Sequence, residues 1–536
     1  MNPIHTIDYI RILPELVLTA FGIAVMMLDP LFKPGASRKS LGWLSLLGTL
    51  AAIAAAFCQS AWLARDAAFG APGWFGMVRV DGFSIFFHIL IPAISAVCIL
   101  ASLDYLEVQK MNSGEYYGLI LFGTVGMTLM SSAVELVLIF IALEISSIAT
   151  YILCGYRRRT ASGSESAIKY FLLGSFATAF FLYGVALIFG ATGSTNLLDI
   201  SKVLAVQSQP TGIPNVFAFL ATALMIIGLG FKVASAPFHI WTPDVYEGAP
   251  APVVALMSTG PKAAAFAVLL RVLFATTSTE WFWLICISAA LSMTLGNFGA
   301  LIQNNVKRML AYSSIAHAGY ILVAFAAQNE LGISAAIFYT ATYAVMNVGA
   351  FAVISHISST GERYVTMDDY AGLGKRSPLL AFTLTTFLLS LIGIPATAGF
   401  LGKYYVFTSA MSGMAGAHPK ALIWLIIIGV VNSAVASYYY LRLIVVMYMR
   451  EPVIEEAPAS PSMSMRLALL IAAIATIWLG VVPGRVVDSA AVAARTLWPH
   501  TNGVRVRVVF HADQSPTPES APANTPAAEP AATSPK

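Results

Sequence analysis

Runs of apolar residues separated by short polar stretches recur along this chain from near residue 12 to near residue 484. A helix needs roughly 20 apolar residues to cross a hydrocarbon core of about 30 Å. By that rule the pattern predicts about fourteen helical spans. They fall at 12–30, 41–63, 83–104, 116–132, 134–155, 167–190, 216–242, 252–275, 281–300, 309–327, 333–356, 379–411, 421–449 and 466–484. The fourth and fifth are joined tightly around Ser131 and Val134. The expected fold class is an all-α polytopic membrane protein.

Composition agrees with the pattern. Hydrophobic residues make up 58% of the chain and charged residues 10%, against about 25% charged in a soluble domain. The net charge of +4 is small, and no basic stripe interleaved with aromatics points to nucleic acid. Loops after odd-numbered spans carry Lys33, Arg38, Lys39, Lys110, Arg157, Arg158, Arg159, Lys307, Arg308, Arg363, Lys375, Arg376, Arg450 and Arg466; loops after even-numbered spans carry Arg65, Arg79, Lys202 and Lys420. The positive-inside rule then places the odd loops in the cytoplasm and both termini on the periplasmic side. Asp8, Arg11 and Glu15 near the start argue against a cleavable signal. From about residue 512 the chain is rich in Pro, Ala, Thr, Ser and Glu, a composition expected to remain disordered.

Cys58, Cys98, Cys154 and Cys286 lie far apart in sequence. They do not form a CxxC-type zinc or iron–sulfur motif and read as small packing residues.

Two spans contain prolines next to a lysine. One reads Gly228-Leu-Gly-Phe-Lys232-Val-Ala-Ser-Ala-Pro237-Phe-His239-Ile-Trp241, the other Gly393-Ile-Pro395-Ala-Thr-Ala-Gly399-Phe-Leu-Gly402-Lys403. Proline removes a helical hydrogen bond and clashes with the preceding turn. In lipid the freed groups need other partners, so such breaks usually line a polar cavity. The helix breaks at Pro237 and Pro395 fall in the seventh and twelfth spans. An offset of five spans predicts two inverted five-helix repeats. The expected division is 1–111 for spans one to three, 112–276 for the first repeat, 277–450 for the second, 451–498 for the last helix and 499–536 for the tail. Both prolines also fit ordinary kinks.

Glu144, Lys169, Lys232, Lys262 and Lys403 all fall inside predicted spans. A charge at the bilayer centre costs at least about 2.5–3.5 kcal/mol. Glu144 lies thirteen residues before Arg157, roughly 20 Å at about 1.5 Å per residue. Lys169 is only a few residues into its span, where snorkelling also explains it. A buried lysine near a carboxylate can gain and lose a proton as the pair tightens and loosens, which arginine cannot do. The expected relay has Glu144 modulating Lys232, with Lys169 as a secondary partner, and protons passing through Lys262 to Lys403. His317 would bridge the halves or serve as a hydrogen-bonded packing residue. His239 would lie on the path in or cap the break. His88 and His356 read as packing or interface residues.

These motifs resemble a known family. Lys232 to Pro250, containing Pro237-Phe-His239-Ile-Trp241-Thr-Pro243-Asp244-Val-Tyr246-Glu247-Gly-Ala-Pro250, resembles the signature of antiporter-like subunits of NADH:quinone oxidoreductase (respiratory complex I), in the form seen in subunit N. Glu144-Ile-Ser-Ser-Ile-Ala-Thr-Tyr151 resembles the family's fifth-helix motif, and Lys307 to Tyr320 its tenth-helix start. Ala398-Gly399-Phe400-Leu401-Gly402-Lys403 ends in lysine, where subunit M has glutamate; subunit L adds a long lateral helix for which nothing here provides. The resemblance implies relay roles for Glu144, Lys169, Lys232, Lys262 and Lys403. It implies no redox centre in this chain: NADH, FMN, iron–sulfur clusters and quinone would belong to partner subunits. Implied partners are the sister subunit M and the small membrane subunits J and K, in a bacterial inner membrane. The alternative is a multisubunit cation/proton antiporter subunit. Moving one charge against 100 mV costs about 2.3 kcal/mol, and no phosphate-binding or cofactor motif here supplies it.

Overall fold

A computed structural model describes residues 6–33, 35–158, 160–207, 216–275, 281–358, 364–454 and 458–497. The tail expected to be disordered lies outside the described residues. The described chain is helical, with isolated bridges between loops and no named strand. Such a fold suits a bilayer, because a helix satisfies its backbone polar groups within itself.

Twelve helices among the described residues are long and apolar enough to span. The sequence pattern had suggested two more. Gly114–Ser132 is a helix of 19 residues, but its glycines, hydroxyl residues and Glu115 dilute its hydropathy. The twelfth span is divided into Pro378–Ile392 and Ala398–Gly413, each too short alone. In chain order the spans are thus Leu13–Leu28, Lys39–Arg65, Gly82–Val108, Gly114–Ser132, Leu136–Cys154, Ala161–Thr192, a broken seventh, a jogged eighth, Trp281–Leu301, Val306–Ala326, Glu330–Ser358, the broken twelfth, Pro419–Met449 and Met463–Val481. The broken seventh comprises Val216–Val233 and Trp241–Gly248.

The eighth span holds a feature the pattern did not reveal. It is interrupted at Ser258 and Thr259, between Ala251–Met257 and Gly260–Ala275. The Thr259 hydroxyl donates back to the Ala255 carbonyl at 2.7 Å. Such back-bonding bends helices.

Packing follows the expected repetition. The fourth span packs on the fifth as the ninth packs on the tenth; the sixth packs on the seventh as the eleventh packs on the twelfth. Burial is unequal, however. The spans containing Lys262 and His317 are 100% and 94% buried over their apolar windows, and the eleventh is 94% buried. The thirteenth, which the offset pairs with the eighth, is 28% buried. The middle of the protein is therefore built from the eighth, tenth and eleventh spans.

A buried ion pair ties the first three spans to this centre. Asp81 caps the third span, its carboxylate accepting from Ser84 N at 2.9 Å. It also accepts from Arg271 on the eighth span, at 2.9 and 3.2 Å. Arg271 Nε donates to Ser131 O at 2.8 Å, closing the end of the fourth span. A further helix, Gly484–Leu497, follows the last span and was not expected from the sequence. It buries Ala490, Ala493 and Ala494 on one side and packs on the third and eleventh spans.

Removing one partner of a buried pair leaves an uncompensated charge and typically costs about 3–5 kcal/mol. Asp81→Ala should therefore lower the melting temperature and the amount of chain retained in membranes. Asp81→Leu combined with Arg271→Met should recover most of the loss. An equal loss in the single and double variants would contradict this reading.

Candidate functional site

The break in the seventh span begins one residue after Val233, where Ala234 turns to φ 58°. Its freed backbone groups find partners on neighbouring elements. Ala236 N donates to Ser292 Oγ at 2.7 Å, and Ser288 Oγ donates to Ala236 O at 2.7 Å, both from the ninth span. The Trp241 indole donates to Phe231 O at 3.1 Å and stacks on Tyr170, ring centroids 4.5 Å apart. These contacts fix Lys232 at the helix end. Lys232 is buried, and its ammonium sits over the rings of Tyr151 and Tyr170 at 5.0 and 5.3 Å. A desolvated cation over such faces gains about 2 kcal/mol or more.

Glu144 lies two turns before Tyr151 on the same span. It is half-buried, and its Oε1 has no hydrogen-bond partner. It stands within electrostatic reach of Lys232. Among the described residues the two form no direct ion pair.

Lys262 lies just past the Ser258–Thr259 jog. Its ammonium donates to Ser314 O at 3.2 Å and to the Ser314 hydroxyl. The jog is held against the eleventh span by Asn347 Nδ2, which donates to Ser258 Oγ at 2.7 Å.

The twelfth span breaks where Gly393 adopts φ 95°. The Lys403 amine donates to the last carbonyls of the first half, Leu391 O at 3.2 Å and Ile392 O at 2.8 Å. A cation at a helix C-terminus meets both unpaired carbonyls and the negative end of the dipole. Glycine is needed twice over at 393, since a Cβ there would also lie 3.3 Å from Lys403 Cδ.

The tenth span joins these two lysines. Ser313, Ser314, His317 and Tyr320 share one face at helical spacing. Ser314 holds Lys262, and Lys403 lies over the Tyr320 ring at 4.9 Å. Between them, His317 Nδ1 is 2.8 Å from the Tyr339 hydroxyl and Nε2 is 3.5 Å from that of Tyr440, which also bonds Ser313. The six steps from Ser314 to Tyr320 cover roughly 9 Å at about 1.5 Å each. The structure thus brings Lys262, His317 and Lys403 to one seam.

Two of the expected residues are not on this seam. Lys169, expected as a secondary relay partner or as a snorkelling residue, has a side chain 39% exposed that pairs with Glu165 at 2.6 Å and Asp244 at 2.7 Å. Asp244 and Glu247 in turn bind Arg308, each at 2.7 Å. This cluster anchors the second half of the seventh span. Lys169 is positioned at the surface because a partner is there and because a long side chain near a helix end can reach it. His239 is half-buried in the break, beside Ile240, which is 74% exposed. Its Nδ1 has no hydrogen-bond partner among the described residues.

Sequence reasoning missed Tyr339 and Tyr440. Both sit in apolar runs at positions that read as packing, and only the fold turns their hydroxyls towards His317.

Comparison with known proteins adds the family. Residues 133–436 match the family described as NADH:quinone oxidoreductase/Mrp antiporter, TM. A relative from Koribacter versatilis, NADH-quinone oxidoreductase subunit N 2, is 62% identical over 494 residues, covering 92% of this chain and 98% of the relative. NADH-quinone oxidoreductase subunit N from Trichlorobacter lovleyi is 44% identical over 496 residues, covering 92% and 98%. A chain of respiratory complex I from Thermus thermophilus superposes with a TM-score of 0.72 at 37% identity, covering 89% of this chain and 99% of that one. The broken spans, the buried lysines and these likenesses agree: the chain belongs to the NADH:quinone oxidoreductase/Mrp antiporter family and, within it, to the N subunits of NADH-quinone oxidoreductase.

Proposed function

We propose that this chain carries protons along Glu144, Lys232, Lys262, His317 and Lys403, driven by redox chemistry in partner subunits. The single observation that carries the reading is the seam on the tenth span, where two buried amines are linked by alternating hydroxyl, imidazole and aromatic groups. Buried polar atoms without a well-aligned protein partner lie beside it at Tyr343 Oη and Asn347 Oδ1, and near Lys232 at Glu144 Oε1 and Tyr151 Oη. Folded proteins satisfy such groups, commonly with ordered water. A hydrated seam of this kind would hand protons between amines that are too far apart to touch.

Lys232 and Glu144 would load the first half, whose boundaries we set at 112–276. Lys403 would discharge the second, 277–450, with residues 1–111 and 451–498 as flanking helices. Lys169 and Asp244 would hold the broken seventh span and set how far its second half can move. His239, on the outward side of that break, would face a neighbouring subunit. We place NADH oxidation, FMN, the iron–sulfur clusters and quinone reduction in partners, with the sister subunit M and the small subunits J and K adjacent. We place the assembly in a bacterial inner membrane with both termini periplasmic.

In the assembled complex, Lys262→Met should reduce NADH-driven proton translocation through this chain by about 10²-fold. Lys262→Arg should fail equally, because guanidinium does not release its proton. Full pumping by the arginine variant would show that only the charge matters and would sink the relay. Gly393→Ala forces an L-residue into left-handed backbone at a cost of roughly 1–2 kcal/mol and pushes on Lys403. It should lower the protons moved per NADH although no titratable group is altered. An unchanged ratio would argue that the placement of Lys403 at the break is immaterial.

A further inference from the structure

A second buried protonatable pair lies outside the lysine seam, in the first three spans. Glu15, in the first turn of Leu13–Leu28, is 5% exposed; His88, on Gly82–Val108, is 0% exposed. His88 Nε2 lies 3.3 Å from Glu15 Oε1. Neither carboxylate oxygen makes a well-aligned hydrogen bond, nor does His88 Nε2. Their nearest polar neighbours are fixed.

Gln59, fully buried on the second span, donates its amide nitrogen to Ile10 O at 3.1 Å and Arg11 O at 2.9 Å. Those two carbonyls settle which end of the amide is which. Gln59 Oε1 therefore faces His88 Nδ1, at 2.8 Å, as an acceptor. Nδ1 must carry hydrogen, and in a neutral ring that leaves Nε2 as a bare lone pair. The Thr128 hydroxyl also faces Glu15. Its one hydrogen goes either to Glu15 or to its own helix, on Thr124 O at 3.1 Å or Val125 O at 3.0 Å, and in neither case serves His88 Nε2; the Thr128 carbonyl also faces His88 and can only accept.

An ionised Glu15 beside a neutral His88 would set lone pair against lone pair in a dry site. We infer that Glu15 and His88 form a proton-binding site that holds one proton between them. The proton sits on Glu15 and is given to Nε2, or sits on Nε2 and is given to the carboxylate. The Glu15 backbone N–H, which faces its own carboxylate, favours the second arrangement, and the dry surroundings favour the first. Both arrangements have zero net charge.

Other charges in reach do not supply the missing hydrogen. Asp81 and Arg271 bind each other, and Arg79 lies 3.7 Å from Asp81. Asp8 and Arg11 pair with each other in the segment above, with Arg11 Nε on Phe69 O at 3.2 Å. The site lies under that segment, at the end of the bundle where the first span begins, and shares no residue with the lysine seam. It does not depend on the relay proposed above.

The test is infrared spectroscopy of the assembled complex before and after hydrogen–deuterium exchange, with carboxyl-labelled glutamate and ring-labelled histidine. The native chain should show either a protonated buried carboxyl or an imidazolium band that exchange shifts. Glu15→Gln should abolish that band while keeping an N–H for His88 Nε2, and His88→Gln should alter it. NADH:quinone reductase activity of the same membranes reports assembly. If neither variant assembles, the labelled native complex decides the question alone. An ionised Glu15 beside a neutral His88, or identical bands in all three proteins, would overturn the assignment.

Discussion

The fold depends on holding ammonium groups away from bulk water without leaving them unbound. A buried charge without partners is untenable in this environment. The chain meets the problem with main-chain carbonyls and aromatic faces rather than with carboxylates. Lys403 takes the last carbonyls of a broken helix, Lys262 takes Ser314, and Lys232 lies between two tyrosine rings. These are neutral partners. They lower the cost of a cation but do not lock it as a close carboxylate would, so an amine can exist in either protonation state without wrecking the site.

Helix breaks are the means by which a regular membrane fold supplies such partners. An unbroken helix keeps its carbonyls for itself. The interruptions at 393–397 and at Ser258–Thr259 each place a lysine within a few residues of exposed polar atoms. The seventh-span break instead gives its groups to Ser288, Ser292 and Trp241, leaving Lys232 to the rings. The two halves of the chain therefore share a plan but solve it differently. The tenth span is the element that connects the solutions, because it contacts both the jog and the second break along one face.

Much of this was legible in the sequence. Lys232 with Pro237 and Lys403 with Pro395 stand out because prolines and charges are both conspicuous in apolar runs. The Ser258–Thr259 jog was not legible, since a Ser-Thr pair is compatible with an unbroken helix and only the back-bonded hydroxyl reveals the bend. For Lys169 the sequence left a relay role and snorkelling both open, because depth in a span does not tell which neighbour a long side chain will reach. His88 read as a packing or interface residue and Glu15 only as evidence against a cleavable signal, and Arg271 was not singled out, because nothing in the sequence shows which distant groups they meet. Their burial comes from the loop above them and from contacts distant in sequence. The helix at Gly484–Leu497 escaped because its alanines carry little hydropathy signal.

The central claim is that the buried amines are joined by a hydrated path. The measurement that tests it most directly is a map of the assembled complex fine enough to show ordered water. The account predicts water bridging Lys262, His317 and Lys403 along the tenth span, and a second chain from Lys232 to Glu144. A dry, tightly packed seam, with the amines bound only to the carbonyls and rings described above, would contradict it.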